Sequence, residues 1–540
     1  PIPMTDSQAQ PLLPLSDNSA NGRARAAAIQ TASHAKRQPA GIVAYRSAGS
    51  LLVAGSEAGV DNARAALAGH AGIRVTCLVR DAGEAAPVLS GWLGHFELQT
   101  TGDESQVFDL VLDLGTPPLL DCELLPPGYF APGNDAGALQ AAIGELAGLT
   151  GEFEKPQYFH YDSAICAHGR SGMTACTRCL DTCPTGAITS LGDAIEVNAN
   201  LCQGAGSCAT ACPTGAIGYS YPRLSDTLLR LRLLLQAYRD AGGEDAVLLF
   251  HDAAAGREAV QRMATGLPGS VIPVEVEELG SVGMDVWLAS LAYGAAAVWL
   301  LATPAIPASV LRQVKLQLNV AGQILAGMGY PASGLQLCQA GDGLPGDLPA
   351  TAGRQPAGFA ALDEKRSVIR LAVDHLRAES PSPHPLVNLP AGAPFGEVLL
   401  DAARCTLCMA CVSQCPAHAL ESGDESPQLV FIEANCVQCG LCCRTCPEDA
   451  IAASPRYLYD QQQRTARRVL HEAEPFLCIS CGKPFATRQV IEKITTRMKG
   501  HAMFQGEALQ RLKMCEDCRV KAMFDDEAAG GKPASPGGWS

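Results

Sequence analysis

The sequence predicts a multidomain chain: α/β units with parallel sheets, two small α+β modules, and a four-cysteine knuckle tail. Three observations predict this. The chain has 540 residues, more than a single hydrophobic core organises. Strand-like apolar runs alternate with helical patterns over residues 46–155 and again over 223–340. Most of the 23 cysteines fall in three tight groups built on C-x2-C spacing.

Composition narrows the function. There are 40 Lys and Arg against 55 Asp and Glu, a net charge of −15, and no long basic run. Such a chain is a poor partner for nucleic acid or an anionic membrane surface. C-x2-C repeats in so long a chain read as metal binding by reduced thiols, not as a disulfide scaffold. Residues 1–40 hold no apolar secretory run, so a cytoplasmic location is expected. Residues 286–306 are uncharged and long enough to cross a bilayer. Gly294 and Pro304 interrupt them, no Lys or Arg flanks them, and they split into a helix (284–293) and a strand (296–302). No membrane span is expected.

In chain order, residues 1–45 are expected to be disordered. The first α/β unit, 46–155, has strands at 51–54, 73–79 and 108–112 and a helix at 62–69. Its loop Gly55-Ser56-Glu57-Ala58-Gly59 lacks a full G-x-G-x-x-G and reads as a tight turn. A cysteine module fills 156–222. Leu228, Leu231, Leu235 and Tyr238 then share one face of a helix stopped by Gly242-Gly243. The second α/β unit, 223–340, has strands at 246–250, 271–276, 296–302 and 335–338, with a last helix at about 308–328. Residues 341–398 form a linker with one short helix marked by Ile369, Ala372, Val373 and Leu376. A second cysteine module occupies 399–456, the tail 457–524, and residues 525–540 are again expected to be disordered.

The second module is the more regular. Cys405, Cys408, Cys411 and Cys415-Pro416 are followed by Cys436, Cys439, Cys442 and Cys446-Pro447. This is C-x2-C-x2-C-x3-C-P twice, and it resembles the bacterial-type ferredoxin carrying two 4Fe–4S clusters. Three close thiolates wrap one cluster and the fourth reaches the other. Cys405, Cys408, Cys411 and Cys446 are expected to hold one 4Fe–4S cluster, and Cys415, Cys436, Cys439 and Cys442 its neighbour. Gly440 lets the backbone close around sulphur, and Cys443 falls out of register as a bystander.

The first module repeats the arm as Cys183-Pro-Thr-Gly-Ala-Ile188 and Cys212-Pro-Thr-Gly-Ala-Ile217. Its first half is Cys166-x9-Cys176-x2-Cys179-x3-Cys183, with an insertion carrying His168 and Arg170. Cys166, Cys176, Cys179 and Cys212 still make a 4Fe–4S set. The second half has Ala205 where the pattern has cysteine, which leaves Cys183, Cys202 and Cys208. That set fits a 3Fe–4S cluster, a 4Fe–4S cluster completed by water or His168, or an empty site. As a residue, His168 reads first as part of a loop.

In the tail, Cys478-x2-Cys481 and Cys515-x2-Cys518 form two knuckles with a helix between them, a pattern that suits structural zinc. Rubredoxin-like iron or a redox dithiol are the alternatives. Cys77, Cys122 and Cys338 read as small core residues.

Residues 278–300 resemble the delta subunit that links hydrogenases to heterodisulfide reductases. Most of 108–524 resembles the large ferredoxin-type proteins encoded with bacterial formate dehydrogenases. The features carrying this second likeness are Pro126-Pro-Gly-Tyr-Phe130, the Cys166-Ala-His168-Gly-Arg170 insertion, Cys478-Ile-Ser-Cys481-Gly-Lys-Pro-Phe485 and Cys515-Glu-Asp-Cys518. Ala205 departs from that pattern. The resemblance implies an electron-transfer subunit with a redox partner protein such as formate dehydrogenase. The alternative is a cluster-containing scaffold, maturation or redox-sensing factor. With no persuasive nucleophile–base pair, flavin motif or molybdenum site in the sequence, no catalytic residue is assigned, and substrate chemistry is expected on the partner.

Overall fold

The computed structural model describes residues 17–70, 72–80, 87–99, 105–346, 353–382, 384–424 and 426–528. The chain divides into two compact units, Pro1–Pro390 and Ala391–Ser540.

The first unit opens with a helix, Ala20–Ser33, inside the stretch expected to be disordered. Ser19 caps it, accepting from Gly22 N at 3.0 Å. Ala24, Ala28 and Ala32 are buried. Arg25, only 1% exposed, donates to the carbonyls of Pro268 at 2.8 Å and Val271 at 3.1 Å. An alanine-lined face gives little apolar periodicity to read. Docking against the helix Leu224–Asp240 supplies what local propensity lacks. The expectation for residues 1–16 lies outside the described residues.

The first α/β unit is a four-stranded parallel sheet, ordered Arg74–Val79, Ser50–Gly55, Leu110–Asp113 and Tyr129–Phe130. Its core runs through Leu51, Val53, Val60, Leu110, Leu112 and Leu146. Two antiparallel additions were not anticipated. Ile42–Ser47 pairs with Gly151–Pro156, and Val88–Trp92, His95–Gln99 and Ser105–Phe108 form a meander. Phe108 therefore ends one sheet and Leu110 begins another.

The second α/β unit is a parallel sheet of Val247–Asp252, Val271–Val276, Ala297–Ala302 and Leu335–Gln339, in spatial order second, first, third, fourth. The first and third strands are buried along their whole length, as expected of a sheet covered on both faces. Residues 286–306 do split, into the helix Met284–Ala292 and the strand Ala297–Ala302, with Gly294 turning between them at φ 104°. Among the described residues, no helix is long and apolar enough to cross a membrane. Leu228, Leu231, Leu235 and Tyr238 form the buried face of Leu224–Asp240. The linker helix, Lys365–Ala378, buries Ile369, Ala372, Val373 and Leu376 against Met284–Ala292.

The first cysteine module touches both α/β units, Gln203 Nε2 donating to Leu125 O at 2.8 Å and the Thr210 hydroxyl to Gly280 O at 3.1 Å. Short helices Arg178–Asp181 and Ser207–Ala211 lie between the antiparallel pairs Phe159–Tyr161 with Ile217–Tyr219 and Ile188–Ser190 with Ile195–Val197.

The second unit carries the other module. Gly396–Leu400 pairs with Ile451–Leu458, and Leu420–Ser422 with Gln428–Phe431. Residue 456, the expected boundary, falls inside a strand, and Arg468–Glu472 adds a further strand to the module. The four-cysteine tail is the hairpin Pro475–Leu477 and Pro484–Thr487 followed by helices Arg488–Met498, Glu507–Arg511 and Glu516–Ala528. The last helix runs past residue 525, where disorder was expected. Residues 529–540 lie outside the described residues.

Candidate metal centres

In the second module, each arm Cys-Pro follows a helical turn, so its thiol points away from the three-cysteine loop that precedes it. One cavity is lined by Cys405, Cys408, Cys411 and Cys446 together with Thr406, Leu407, Leu429 and Glu448. A second is lined by Cys415, Cys436, Cys439 and Cys442 with Val398, Phe431 and Ala453. Cys443 lies outside both linings.

Both loops use left-handed backbone around the middle cysteine. Leu407 (φ 53°) and Met409 (φ 60°) flank Cys408, and Gln438 (φ 53°) and Gly440 (φ 83°) flank Cys439. Such turns aim successive amides inward and suit an anionic occupant. Sulphur also receives donors from the arms and from one loop side chain. Ala419 N reaches Cys415 Sγ at 3.2 Å, Ala450 N reaches Cys446 Sγ at 3.3 Å, and Gln438 Nε2 reaches Cys436 Sγ at 3.2 Å. Burial, followed by the neighbouring cysteines, pushes the Cys411 thiol up to about 12. A thiolate there needs bound metal to offset its desolvation, so the chemistry of the donor set fits a cluster.

In the first module, the Cys179 thiol is pushed up to about 12, by burial first and then by Cys212, Cys176 and Cys166. Those four sulphurs are therefore electrostatic neighbours. Cys208 is driven well above the ordinary thiol range by burial and then by Cys202, Cys183 and Cys179. Cys183 and Cys202 are thus electrostatic neighbours of Cys208, as Cys179 is. Around Ala205 the chain keeps the backbone of the complete loop, with Gly204 at φ 78° and Gly206 at φ 75°. Neither glycine has room for a side chain. A Cβ on Gly206 would lie 2.3 Å from Ser281 Cα, and one on Gly204 would lie 2.7 Å from the Tyr158 ring.

His168 is not poised as a ligand. It is 1% exposed, and both ring nitrogens are engaged, Nδ1 with Cys176 O at 2.8 Å and Nε2 with the Ser190 hydroxyl at 2.7 Å. It braces the insertion, in keeping with its first reading as a loop residue and against the alternative of a fourth ligand.

Two lysines escaped the sequence reading. Lys155, 8% exposed, donates to Asn200 O at 2.8 Å and Cys202 O at 2.6 Å. Burial lowers its pKa to about 8. Lys365 donates to Ala209 O at 3.0 Å and Cys212 O at 3.1 Å, satisfying carbonyls at the end of Ser207–Ala211. Cations there favour charged sulphur. Each comes from far along the chain, and no spacing rule links it to its partner.

In the tail, ligand atoms of Cys478, Cys481, Cys515 and Cys518 all lie within 4.8 Å of one another. Cys515 N donates to Cys478 Sγ at 3.2 Å, and Gly482 takes φ 73° in the knuckle. Burial raises the Cys478 thiol, but the amides of Cys515, Cys481 and Ser480 outweigh it and bring the pKa to about 6. Four thiols converging this closely fit one tetrahedral metal ion. Of the lone cysteines, Cys338 is buried. Cys77 is exposed on an edge strand, which corrects its reading as a core residue.

The second α/β unit has a cavity of about 290 Å³ at the carboxyl ends of its first two strands, lined by charges of both signs that include Arg230, Arg257, Glu277 and Asp285. At the end of the first strand, the Asp252 carboxylate accepts from Ala254 N and Gly256 N of the following turn, both at 2.9 Å. Phosphate binds at that place in doubly wound folds, and here the amides already hold an anion.

The 4Fe-4S dicluster domain family matches the chain twice, over residues 155–216 and 404–450. Both segments are 4Fe–4S ferredoxin-type modules. Over 45 residues the chain is 49% identical to Hydrogenase-4 component A of Escherichia coli (strain K12), which covers 8% of this chain and 22% of that protein. The chain thus spans about a fifth of the length of this curated relative.

Proposed function

We propose that this protein is a multi-cluster iron–sulphur electron-transfer subunit that passes electrons to or from a partner oxidoreductase. The observation that carries the reading is the convergence of cysteines from both halves of the second matched module on two separate cavities. Cys405, Cys408, Cys411 and Cys446 hold one 4Fe–4S cluster; Cys415, Cys436, Cys439 and Cys442 a second; and Cys166, Cys176, Cys179 and Cys212 a third. Cys183, Cys202 and Cys208 hold a 3Fe–4S cluster or a 4Fe–4S cluster with a non-protein fourth ligand, and the tail holds zinc.

Bound clusters supply one-electron transfer with little change of geometry. The chain buries Cys179, Cys212, Cys405, Cys411 and Cys436, aims amides at sulphur, sets Lys155 and Lys365 on carbonyls beside the ligands, and shapes the loops by left-handed turns. Cys408 is exposed, which makes its cluster the natural point of contact with a partner.

The resemblance to proteins encoded with formate dehydrogenases suggests that enzyme as partner, while the short match to a hydrogenase component suggests a hydrogenase-type oxidoreductase. Affinity purification of the chain from its native host, with identification of what copurifies, tests this. Copurification of formate dehydrogenase supports the first partner, and of a hydrogenase the second. A holoprotein that undergoes no reversible reduction by any copurified enzyme overturns the carrier reading.

A further inference from the structure

We propose that the four-cysteine unit over 475–528 clamps one cluster of the second module: its metal governs how readily the centre at Cys405, Cys408, Cys411 and Cys446 loses iron. The proposal rests on the ligand reading above.

The centre needs protection. Cys408 is exposed, whereas none of Cys415, Cys436, Cys439 and Cys442 is. Chelators and oxidants reach iron through solvent. Two residues lining this cavity are held from the four-cysteine unit. The Thr487 hydroxyl donates to the Thr406 carbonyl at 3.3 Å, and the Lys493 ammonium pairs with the Glu448 carboxylate. Thr487 is 2% exposed and Thr406 6%, so the first bond is shielded from water. The same hydroxyl accepts from Val490 N at 3.2 Å and caps Arg488–Met498, the helix that carries Lys493. One side chain therefore sets both contacts.

The metal site controls Thr487 through a short hairpin. Pro475–Leu477 leads into Cys478, and Pro484–Thr487 leaves the knuckle after Cys481 and ends on Thr487 itself. These two strands form a sheet of their own. An isolated two-stranded hairpin is marginal in water, so metal binding across its loop supplies the stability it lacks. Without the metal, Thr487 and Lys493 are no longer fixed, and the Cys405–Cys408 loop and Glu448 lose their outer supports. In the neighbouring cavity, Gln438 is held inside the module, by Glu397 O at 3.1 Å and Cys436 Sγ at 3.2 Å.

The test uses full-length holoprotein with its iron and zinc counted. Wild type, Cys515→Ser and Thr487→Val are challenged anaerobically with an iron chelator, alkylated with iodoacetamide over time, and mapped by peptide mass spectrometry. Cys515→Ser should hold no zinc and expose Cys405, Cys408 and Cys411 at least about tenfold faster than wild type, the scale on which lost outer-shell contacts weaken metal binding. Cys436, Cys439 and Cys442 should keep their wild-type rate. Thr487→Val should retain zinc and accelerate the same three cysteines to a lesser degree, and it carries the test alone if Cys515→Ser does not fold. Equal rates for both sets in both variants, or a wild-type tail without metal, overturn the proposal. Immediate alkylation of Cys405, Cys408 and Cys411 in iron-loaded wild type would instead remove the ligand reading, and the clamp with it.

Discussion

At residue 205 a thiol is missing while the backbone that would present it is kept. Gly204 and Gly206 hold the same left-handed turns as Gln438 and Gly440 around Cys439. Restoring the thiol therefore needs no change of path. Ala205→Cys should convert a 3Fe–4S centre to 4Fe–4S and abolish an electron paramagnetic resonance signal near g of about 2 in the oxidised protein. A wild-type protein lacking that signal at full iron content holds a cubane with a non-cysteine ligand. His168 works by position. His168→Ala leaves the Cys176 carbonyl and the Ser190 hydroxyl without their partner, a loss of about 1–3 kcal/mol. The expected outcome is reduced iron at the Cys166, Cys176, Cys179 and Cys212 centre and lower stability in chemical denaturation. Glu278 gives a pH signature. Burial, then Asp252 and Glu277, raises its pKa from 4.5 to about 7. The folded state retains a proton that the unfolded state releases, so stability falls as pH rises through that window. The melting temperature should be higher at about pH 6 than at about pH 8, and Glu278→Gln should flatten the difference.

At the scale of elements, the second module is tied by an ion network across strands. Arg456 on Ile451–Leu458 meets Glu433 through Nε at 2.9 Å and Nη2 at 2.7 Å, and Glu397 on Gly396–Leu400 through Nη1 at 2.5 Å. The Arg456 and Glu433 side chains are 13% and 7% exposed. Removing one partner of so buried a group strands the others, at a cost of about 3–5 kcal/mol. Arg456→Ala should lower the urea midpoint of the second unit by a corresponding amount, whereas Arg46→Ala, whose partner Glu152 is exposed, should change stability little. An Arg456→Ala protein with the wild-type midpoint would show that the network contributes nothing net.

For the whole molecule, the prediction is a metal inventory. Three complete cubanes and one centre at Cys183, Cys202 and Cys208 should give about fifteen or sixteen iron per chain, with one zinc. Anaerobic metal analysis below about ten iron would rule out four clusters. The clusters should accept electrons reversibly without substrate turnover by the isolated chain, because the chemistry assigned to it is transport.

What the sequence determined by itself is the part of the protein whose rules are local. Ligand spacing along a few turns of backbone is enough to sort Cys405, Cys408 and Cys411 from Cys436, Cys439 and Cys442. A continuous apolar run such as Ala297–Ala302 shows a buried strand without any knowledge of its neighbours. The alternation of strand and helix over 223–340 is legible for the same reason. The rest depends on groups that meet only after folding. The helix Ala20–Ser33 exists through its docking on Leu224–Asp240, and its alanines carry no signal of that partner. The meander over 88–108 has short strands whose burial is set by the sheet beneath them. His168 reads as a loop residue until Ser190 closes on its second nitrogen. Lys155 and Lys365 reach their carbonyls across 47 and 153 residues, and Thr487 reaches Thr406 across 81. Motif spacing proposes which thiols belong together. Tertiary structure decides which charges, hydroxyls and amides surround them, because those contacts have no sequence period.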